Sequence, residues 1–302
     1  MKVCLTTVVS DDLFQYYIPL FVYTAKKAYP NYGVKIFLRG RLNKHVRKLL
    51  NDMKKLRMCN PHFQVYEDYF LKYPKRISIC NTLRHLLPAD KFEKYDYLYI
   101  TDIDFLIFRH EPTLGRYFQK RIEKTKLPYA SFRGPYTRPR RPQITPAGWK
   151  GKYSRIADGT LMLKIPQWFN KTRGARNVYN RIVKKGRNDE FDFHPAASYR
   201  EYNEVMLYRI CVMSGIKTPK KKNRFVNGER YDRNYRDIHL GDFKFRRGSN
   251  PKRMDSLITK ENIKHFKDLE KDETWLKISK VCEQNKTIKS MLGKLRHYVR
   301  KR

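Results

Sequence analysis

Short apolar segments alternate with longer amphipathic segments along the first hundred residues. Residues 2–9 (KVCLTTVV) are β-branched and apolar and lead into Ser10, Asp11 and Asp12, which is typical of a buried strand followed by a capped helix. Apolar positions then follow a helical spacing over 12–28. The same criteria predict strands at 34–38, 62–67 and 95–101 and helices at 43–56 and 77–87. This alternation predicts βαβ units on a mostly parallel sheet.

The second half of the chain is less regular. Its periodicity predicts strands at 160–165 and 236–240, helices at 166–183 and 199–213, and a broken helical region at 261–298. The sequence shows no internal repeat and no linker that would divide it into independent domains. A chain of 302 residues is long enough to bury a core as one large unit.

Residues 133–155 (RGPYTRPRRPQITPAGWKGKYSR) form a segment of unusual composition. They include seven basic residues, four prolines and no acid. Proline removes backbone donors and fixes φ, so the segment is predicted to be neither helix nor central strand but a long extended loop. Two interpretations stay open: a functional lid, and a solvated insertion.

The chain is strongly basic throughout its length. It has 67 Lys and Arg against 29 Asp and Glu, a formal charge of +38. The last 52 residues have 15 basic and 7 acidic residues, so their net charge of +8 is close to the average density of the chain. The excess is therefore not concentrated in a basic tail. A generally basic proteome or an anionic partner explains the charge about as well as binding to nucleic acid does.

Several features indicate the compartment. The longest apolar stretch, Tyr17 to Tyr23, is far shorter than the roughly 20 residues of a membrane span. The N-terminus lacks the pattern of a signal peptide. Five cysteines are scattered without a CxxC pair, which favours reduced thiols over a zinc site or a disulfide framework. We therefore expect a cytoplasmic protein without a transmembrane segment.

Two acids interrupt an apolar stretch after the predicted strand at 95–101. Asp102 and Asp104 stand between Ile100 and Phe105, and burying two like charges among apolar residues is costly unless a cation neutralises them. At positions i and i+2 of an extended segment both carboxylates can face one pocket. Ligands of open α/β sheets bind at the carboxyl ends of strands, where this pair lies. The pair therefore predicts a site for Mg²⁺ or Mn²⁺ together with phosphate oxygens.

The residues around this pair resemble a GT-A-fold glycosyltransferase. The resemblance includes the N-terminal strand and helix, the predicted helix holding Arg84, and the motif YDYLYITDIDFLIF at 95–108. Residues 158–163 (DGTLML) resemble the strand that approaches the donor sugar, and 237–242 (DIHLGD) resemble the H-x-G segment whose histidine completes the metal site. The chain is most similar to single-domain sugar transferases of bacteria, phages and large DNA viruses, including those that glycosylate viral capsid proteins.

The resemblance implies a fold and a division of the chain. The fold is α/β of the GT-A type, a Rossmann-like, mostly parallel mixed sheet flanked by helices, with a helical C-terminal extension. Residues 1–245 would form the catalytic domain. Residues 246–302 have no counterpart in the resemblance and would form a basic helical extension packed on it.

The resemblance also implies roles for individual residues. Asp104 would bind Mn²⁺ or Mg²⁺ directly, Asp102 would contact the ribose or a metal-bound water, and His239 would be the remaining protein ligand. Arg84 would reach the diphosphate. The other residues implied in binding the nucleotide sugar are Thr6, Thr7 and Val8, at the end of the first strand, and Gly159.

The implied reaction transfers a hexose or pentose from a nucleotide-diphosphate sugar, with UDP as the default carrier, to a hydroxyl group. The acceptor would be a glycan or glycoprotein, as in viral or surface glycan synthesis. An inverting enzyme would need a carboxylate to take the acceptor proton, and Glu204 and Asp158 are the candidates. A retaining enzyme would need no such base, and the sequence does not decide between the two.

The net charge of +38 motivates two alternatives. In the first, the same fold transfers sugar to hydroxylated bases in DNA. In the second, the chain is a non-catalytic nucleic-acid-binding protein and the two aspartates have no role in catalysis.

Overall fold

A six-stranded mixed sheet forms the centre of the computed structural model. The described residues form ten strands: β1 (Val3–Val9), β2 (Gly33–Leu38), β3 (Phe63–Tyr66), β4 (Tyr97–Thr101), β5 (Phe105–Leu106), β6 (Tyr129–Ser131), β7 (Tyr136–Arg138), β8 (Tyr153–Arg155), β9 (Thr160–Lys164) and β10 (Ile238–His239). The central sheet has the order β3-β2-β1-β4-β9-β6. Its first four strands are parallel, whereas β9 runs antiparallel to both β4 and β6.

The structure describes residues 1–10, 12–73, 82–131, 136–138, 153–155, 160–185, 199–216, 237–243, 254 and 258–302. For 136–138, 153–155, 185 and 199–205 it describes the backbone alone.

Helices cover both faces of the sheet. Those described are α1 (Asp12–Gln15), α2 (Ile18–Ala28), α3 (Lys44–Lys55), α4 (Leu114–Thr125), α5 (Ile165–Lys185), α6 (Tyr199–Met213), α7 (Lys260–Leu269), α8 (Glu273–Cys282) and α9 (Lys286–Arg300). Val3 and Leu5 of β1 belong to a core that includes α2, α3 and the C-terminal helices, whereas Cys4 between them belongs to a second core with α5 and α6. Alternate residues of a central strand are thus buried on opposite faces, as parallel sheets require.

This architecture confirms the predicted fold class, a mostly parallel mixed sheet flanked by helices with a helical C-terminal extension. The structure also confirms most predicted elements, because their signals are local. Helix α3 begins where Asn43 accepts a hydrogen bond from the Val46 amide, 2.9 Å away. Helix α5 begins at Ile165 with Pro166 in its first turn, where the missing amide hydrogen is harmless.

Two local predictions need correction, and one helix was not predicted. The helix predicted at 12–28 is two helices, α1 and α2, and Pro19 stands in the first turn of the second. The described part of the helix predicted at 77–87 includes a 3₁₀ turn, Leu83–His85, while 74–81 lie outside the described residues. Helix α4 was not predicted, although Leu114, Phe118 and Ile122 recur at helical spacing and are buried.

The basic segment 133–155 differs in part from the predicted loop. Its two ends are strands β7 and β8, which pair antiparallel with each other and not with the central sheet. Residues 133–135 and 139–152, which include all four of its prolines, lie outside the described residues. At 136–138 and 153–155 the predicted loop is therefore wrong, because these residues form a two-stranded ribbon outside the central sheet; for the rest of the segment the loop stays a prediction.

The C-terminal helices share the core on the α2 side of the sheet. Trp275 and Ile278 of α8 and Leu292 of α9 are fully buried there. The Tyr17 hydroxyl lies 3.5 Å from Met291 Sδ, and Lys294 donates from Nζ to the Phe243 carbonyl at 3.3 Å. The predicted boundary at 245/246 lies outside the described residues. None of the described helices has the length and apolar character that a membrane span requires.

Candidate functional site

The candidate site begins where β4 ends at the carboxyl edge of the parallel strands. β4 is fully buried, and Asp102 follows its last residue, Thr101. The chain turns through Asp102, Ile103 and Asp104 before β5 begins at Phe105. Ile103 and Phe105 are buried, so the apolar residues fix the turn and leave both carboxylates partly exposed.

A short antiparallel pairing brings the third candidate ligand to this turn. Strand β10 pairs with β5, with His239 opposite Phe105 and Ile238 opposite Leu106. The amide of Leu240 donates to the Asp104 carbonyl at 2.8 Å, which extends the pairing past the strand end. The His239 ring also stacks on the Phe105 ring, with centroids 4.7 Å apart. His239 and Asp104, which are far apart in the sequence, therefore meet because the two-residue strands β10 and β5 pair with each other.

Asp102, Asp104 and His239 form one group of potential metal ligands. Their ligand atoms all lie within 4.8 Å of one another. His239 Nε2 is 3.1 Å from Asp104 Oδ2, and the two side chains are 26% and 13% exposed. The predicted metal ligands thus converge, and their partial exposure leaves an approach from solvent.

The donor set fits a hard divalent cation. Two carboxylates with one imidazole suit Mn²⁺ and accommodate Mg²⁺, since both metals take carboxylate ligands together with phosphate oxygens. Gly241 leaves the space that this group occupies: a β-carbon there would lie 2.7 Å from Asp104 Oδ2 and 2.8 Å from His239 Nε2. The close approach explains glycine at this position, because any larger residue would displace a candidate ligand.

The electrostatics of His239 reflect its two acidic neighbours. Burial lowers the pKa of His239, but Asp104 and Asp242 outweigh that effect and raise the pKa from 6.5 to about 10. Without a cation, the imidazole is therefore protonated at neutral pH and neutralises part of the acidic charge. Metal ligation requires the neutral ring, so binding of a divalent cation would release this proton.

Arg84 lies beside the same group and pairs with one of its acids. Its guanidinium donates to Asp102 Oδ1 at 2.6 Å, and its side chain is only 8% exposed. The 3₁₀ turn that holds Arg84 is fixed from α5, because Arg176 donates to the carbonyls of His85, at 3.0 Å, and Leu87. The residue expected at the diphosphate therefore also neutralises one of the two aspartates.

Asp237 and His110 form a buried pair behind the site that the sequence did not predict. Asp237 is 3% exposed and accepts from the Phe108 amide at 2.8 Å and from His110 Nε2 at 3.0 Å. It thereby joins the residue preceding β10 to the segment following β5. The sequence signal for this role is an acid directly before the apolar Ile238, in the same segment as His239.

The remaining predicted residues are placed as far as the structure describes them. Thr6 and Thr7 are buried near the carboxyl end of β1, and Thr6 Oγ1 donates to the Lys35 carbonyl at 2.9 Å. Thr7 Oγ1 is buried with no hydrogen-bond partner among the described residues, and Val8 is partly exposed. Glu204 lies on α6, where only the backbone is described, and Asp158 and Gly159 lie outside the described residues.

Comparisons with known proteins give structural similarity at low identity. No protein-family model and no curated protein sequence matches the chain. A structure of LgtC, a galactosyltransferase, is 12% identical and covers 67% of this chain and 70% of that one, with a TM-score of 0.37. The Mn/GDP form of core-mannan synthase A from Aspergillus fumigatus is 7% identical and covers 68% of this chain and 69% of that one, with a TM-score of 0.43.

A UDP complex of TarS from S. aureus is 10% identical to this chain. It covers 100% of this chain and 92% of that one, with a TM-score of 0.37. Identities and TM-scores this low do not by themselves assign a function to the chain.

Proposed function

We propose that the chain is a metal-dependent glycosyltransferase of the GT-A type, which transfers a sugar from a nucleotide-diphosphate sugar to a hydroxyl group. The observation that carries the proposal is the convergence of Asp102, Asp104 and His239 at the carboxyl edge of the sheet. Two carboxylates and an imidazole lie close together around a glycine, which a purely structural role does not require. A site that binds a cation and a diphosphate requires such a group of ligands.

The side chains divide the work by position. Asp104 and His239 would hold Mn²⁺ or Mg²⁺, with Asp102 contacting the metal, its water or the ribose. The bound metal would supply Lewis-acid neutralisation of the charge that develops on the departing diphosphate. Arg84 supplies a positive charge beside Asp102, and its 3₁₀ turn is held in place because Arg176 donates to the following carbonyls of His85 and Leu87.

The other assignments extend this proposal to the donor and the acceptor. Thr6, Thr7 and Val8 lie near the end of the strand next to β4, where a nucleotide base would be held beside its diphosphate. Asp158 and Gly159 immediately precede β9, the antiparallel neighbour of β4, and would approach the donor sugar. Glu204 or Asp158 would take the acceptor proton if the enzyme inverts the anomeric centre.

We propose UDP as the carrier, a hexose or pentose as the sugar, and a glycan or glycoprotein as the acceptor. Sequence resemblance alone supports these choices and the likeness to bacterial, phage and large-DNA-virus enzymes. The nucleic-acid alternatives find no support among the described residues, and the converging acids would repel phosphate in the absence of a cation.

Thermal-shift screening with nucleotide sugars tests the proposal directly. A UDP-sugar with Mn²⁺ should raise the melting temperature of the full chain by several degrees, because a ligand that binds the native state stabilises it. Asp104→Asn should abolish the shift and the metal-dependent release of UDP. Asp90→Asn is the matched control, since Asp90 is an exposed acid paired with its neighbour Lys91. If no nucleotide sugar in the panel shifts the wild-type melting temperature with either metal, the proposal is wrong.

A further inference from the structure

The His239 ring is held on both of its nitrogen atoms. Nε2 lies 3.1 Å from Asp104 Oδ2, and Nδ1 lies 3.5 Å from Asp242 Oδ1. The ring face stacks on Phe105. Because the two nitrogens point away from each other across the imidazole, the two acids lie on opposite sides of the ring.

Asp242 occupies a fixed place in the fold. It belongs to the 3₁₀ turn Leu240–Phe243, and both end residues of this turn are fully buried. The turn is tied at its start to the Asp104 carbonyl by the Leu240 amide and at its end to Lys294 of α9. The Asp242 side chain is 17% exposed, so it is not a freely solvated acid.

Asp242 is not placed to share the candidate metal. The group of potential ligands that lie within reach of one another comprises Asp102, Asp104 and His239. Asp242 contacts the nitrogen that faces away from Asp104. Its role is therefore with the ring and not with the cation.

We propose that Asp242 is a positioning residue for His239. Its carboxylate accepts a hydrogen bond from Nδ1–H of the neutral ring. The unprotonated nitrogen is then Nε2, which is the one that faces the metal. Metal-binding histidines commonly donate their other ring N–H to a carboxylate, which fixes the tautomer and the ring orientation and makes the ligand more basic. The role rests on the proposed function, because it supposes a divalent metal at Asp104 and His239.

Mn²⁺ binding to the full chain tests this role without any measurement of catalysis. Asp242→Ala should weaken Mn²⁺ binding by about 10- to 100-fold in titration calorimetry. Asp242→Asn keeps an oxygen that can accept the hydrogen bond from Nδ1–H, so it should retain most of the Mn²⁺ affinity that Asp242→Ala loses. The matched control is Asp268→Ala, which removes an exposed acid paired with Lys271 on the surface.

A spectroscopic measurement distinguishes positioning from a general effect on folding. Electron spin echo modulation from ¹⁴N of Mn²⁺-bound protein should be present in wild type and in Asp242→Asn, and weakened in Asp242→Ala. The melting temperatures of the metal-free variants report folding separately. If Asp242→Ala does not fold, the affinity and the ¹⁴N signal of Asp242→Asn decide.

The outcomes separate this inference from the proposed function. Wild-type affinity and an unchanged ¹⁴N signal in Asp242→Ala would overturn the role of Asp242 and leave the metal-dependent function intact. Loss of both in Asp242→Asn, with the protein folded, would show that the negative charge and not orientation matters, and would also overturn it. A wild-type chain that binds no Mn²⁺ would overturn both the inference and the proposed metal dependence.

Discussion

Gly241 packs directly against Asp104: a β-carbon at residue 241 would lie 2.7 Å from Asp104 Oδ2, closer than any ordinary van der Waals contact. All three atoms nearest to this position belong to candidate ligands, since His239 Nε2 and Cε1 would lie 2.8 and 2.9 Å from the same β-carbon. The contact makes residue 241 a steric test of the site.

Gly241→Ala should therefore weaken Mn²⁺ binding by at least about tenfold, because Asp104 or His239 must move. Gly293→Ala is the matched control: Gly293 lies inside α9 with nothing near its missing β-carbon. That control should leave Mn²⁺ affinity unchanged and stabilise the protein by roughly 0.5–1 kcal/mol, the helix preference of alanine over glycine. Equal metal affinities in the two variants would contradict the steric argument.

Arg176→Ala should destabilise the protein and impair the site together. The carbonyls of His85 and Leu87 would lose a buried guanidinium donor, at a cost of about 1–3 kcal/mol for groups left unsatisfied. The turn that holds Arg84 beside Asp102 would loosen, so affinity for the nucleotide sugar should also fall. Urea denaturation and donor titration measure the two effects. Arg109→Ala, which removes an exposed arginine paired with Glu111, should change neither.

Asp237→Ala should cost about 3–5 kcal/mol of the free energy of unfolding. The Phe108 amide and the His110 ring would both lose a buried acceptor. Asp237→Asn keeps one acceptor oxygen and should cost less. Urea midpoints of the two variants and of Asp90→Asn provide the measurement, and equal midpoints for wild type and Asp237→Ala would contradict the assigned contacts.

Asp272 should make the stability of the C-terminal helices depend on acid pH. Burial raises the pKa of Asp272, but hydrogen bonds from Lys27, Tyr23 and the Trp275 amide outweigh it, so the folded pKa lies below the ordinary value. The contribution of Asp272 to the free energy of unfolding is therefore fully present above the pKa of about 3.9 that Asp272 has in the unfolded chain. It is lost as the pH falls through the pKa of Asp272 in the folded protein.

The test compares wild type with Asp272→Asn, since asparagine preserves the cap of α8 and removes the charge. The difference in their free energies of unfolding should be constant between about pH 7 and 5 and should shrink below about pH 4. Asp268→Asn, at an exposed site, should show no such change. A difference that grows in acid would mean that the sign is wrong.

The local sequence determined the elements whose signals lie within a few residues. Apolar segments rich in β-branched or aromatic residues predicted β1, β2 and β4, Asn43 marked the start of α3, and the two aspartates after β4 predicted a site for a divalent cation. The burial alternation and the helical period depend on neighbours in the chain. For this reason the sequence by itself predicts the fold class and the pair Asp102 and Asp104.

Tertiary structure decided how distant residues meet: the resemblance implied His239 as a ligand beside Asp104, but not the strand pairing that brings it there. The pairing of β10 with β5 brings His239 to Asp104, yet each strand has only two residues, too few for a periodic pattern to show. The buried acceptor role of Asp237 and the contact between Asp242 and His239 Nδ1 depend on the same pairing. Such contacts form because the whole core fixes the two segments side by side, and no property of either segment by itself specifies its partner.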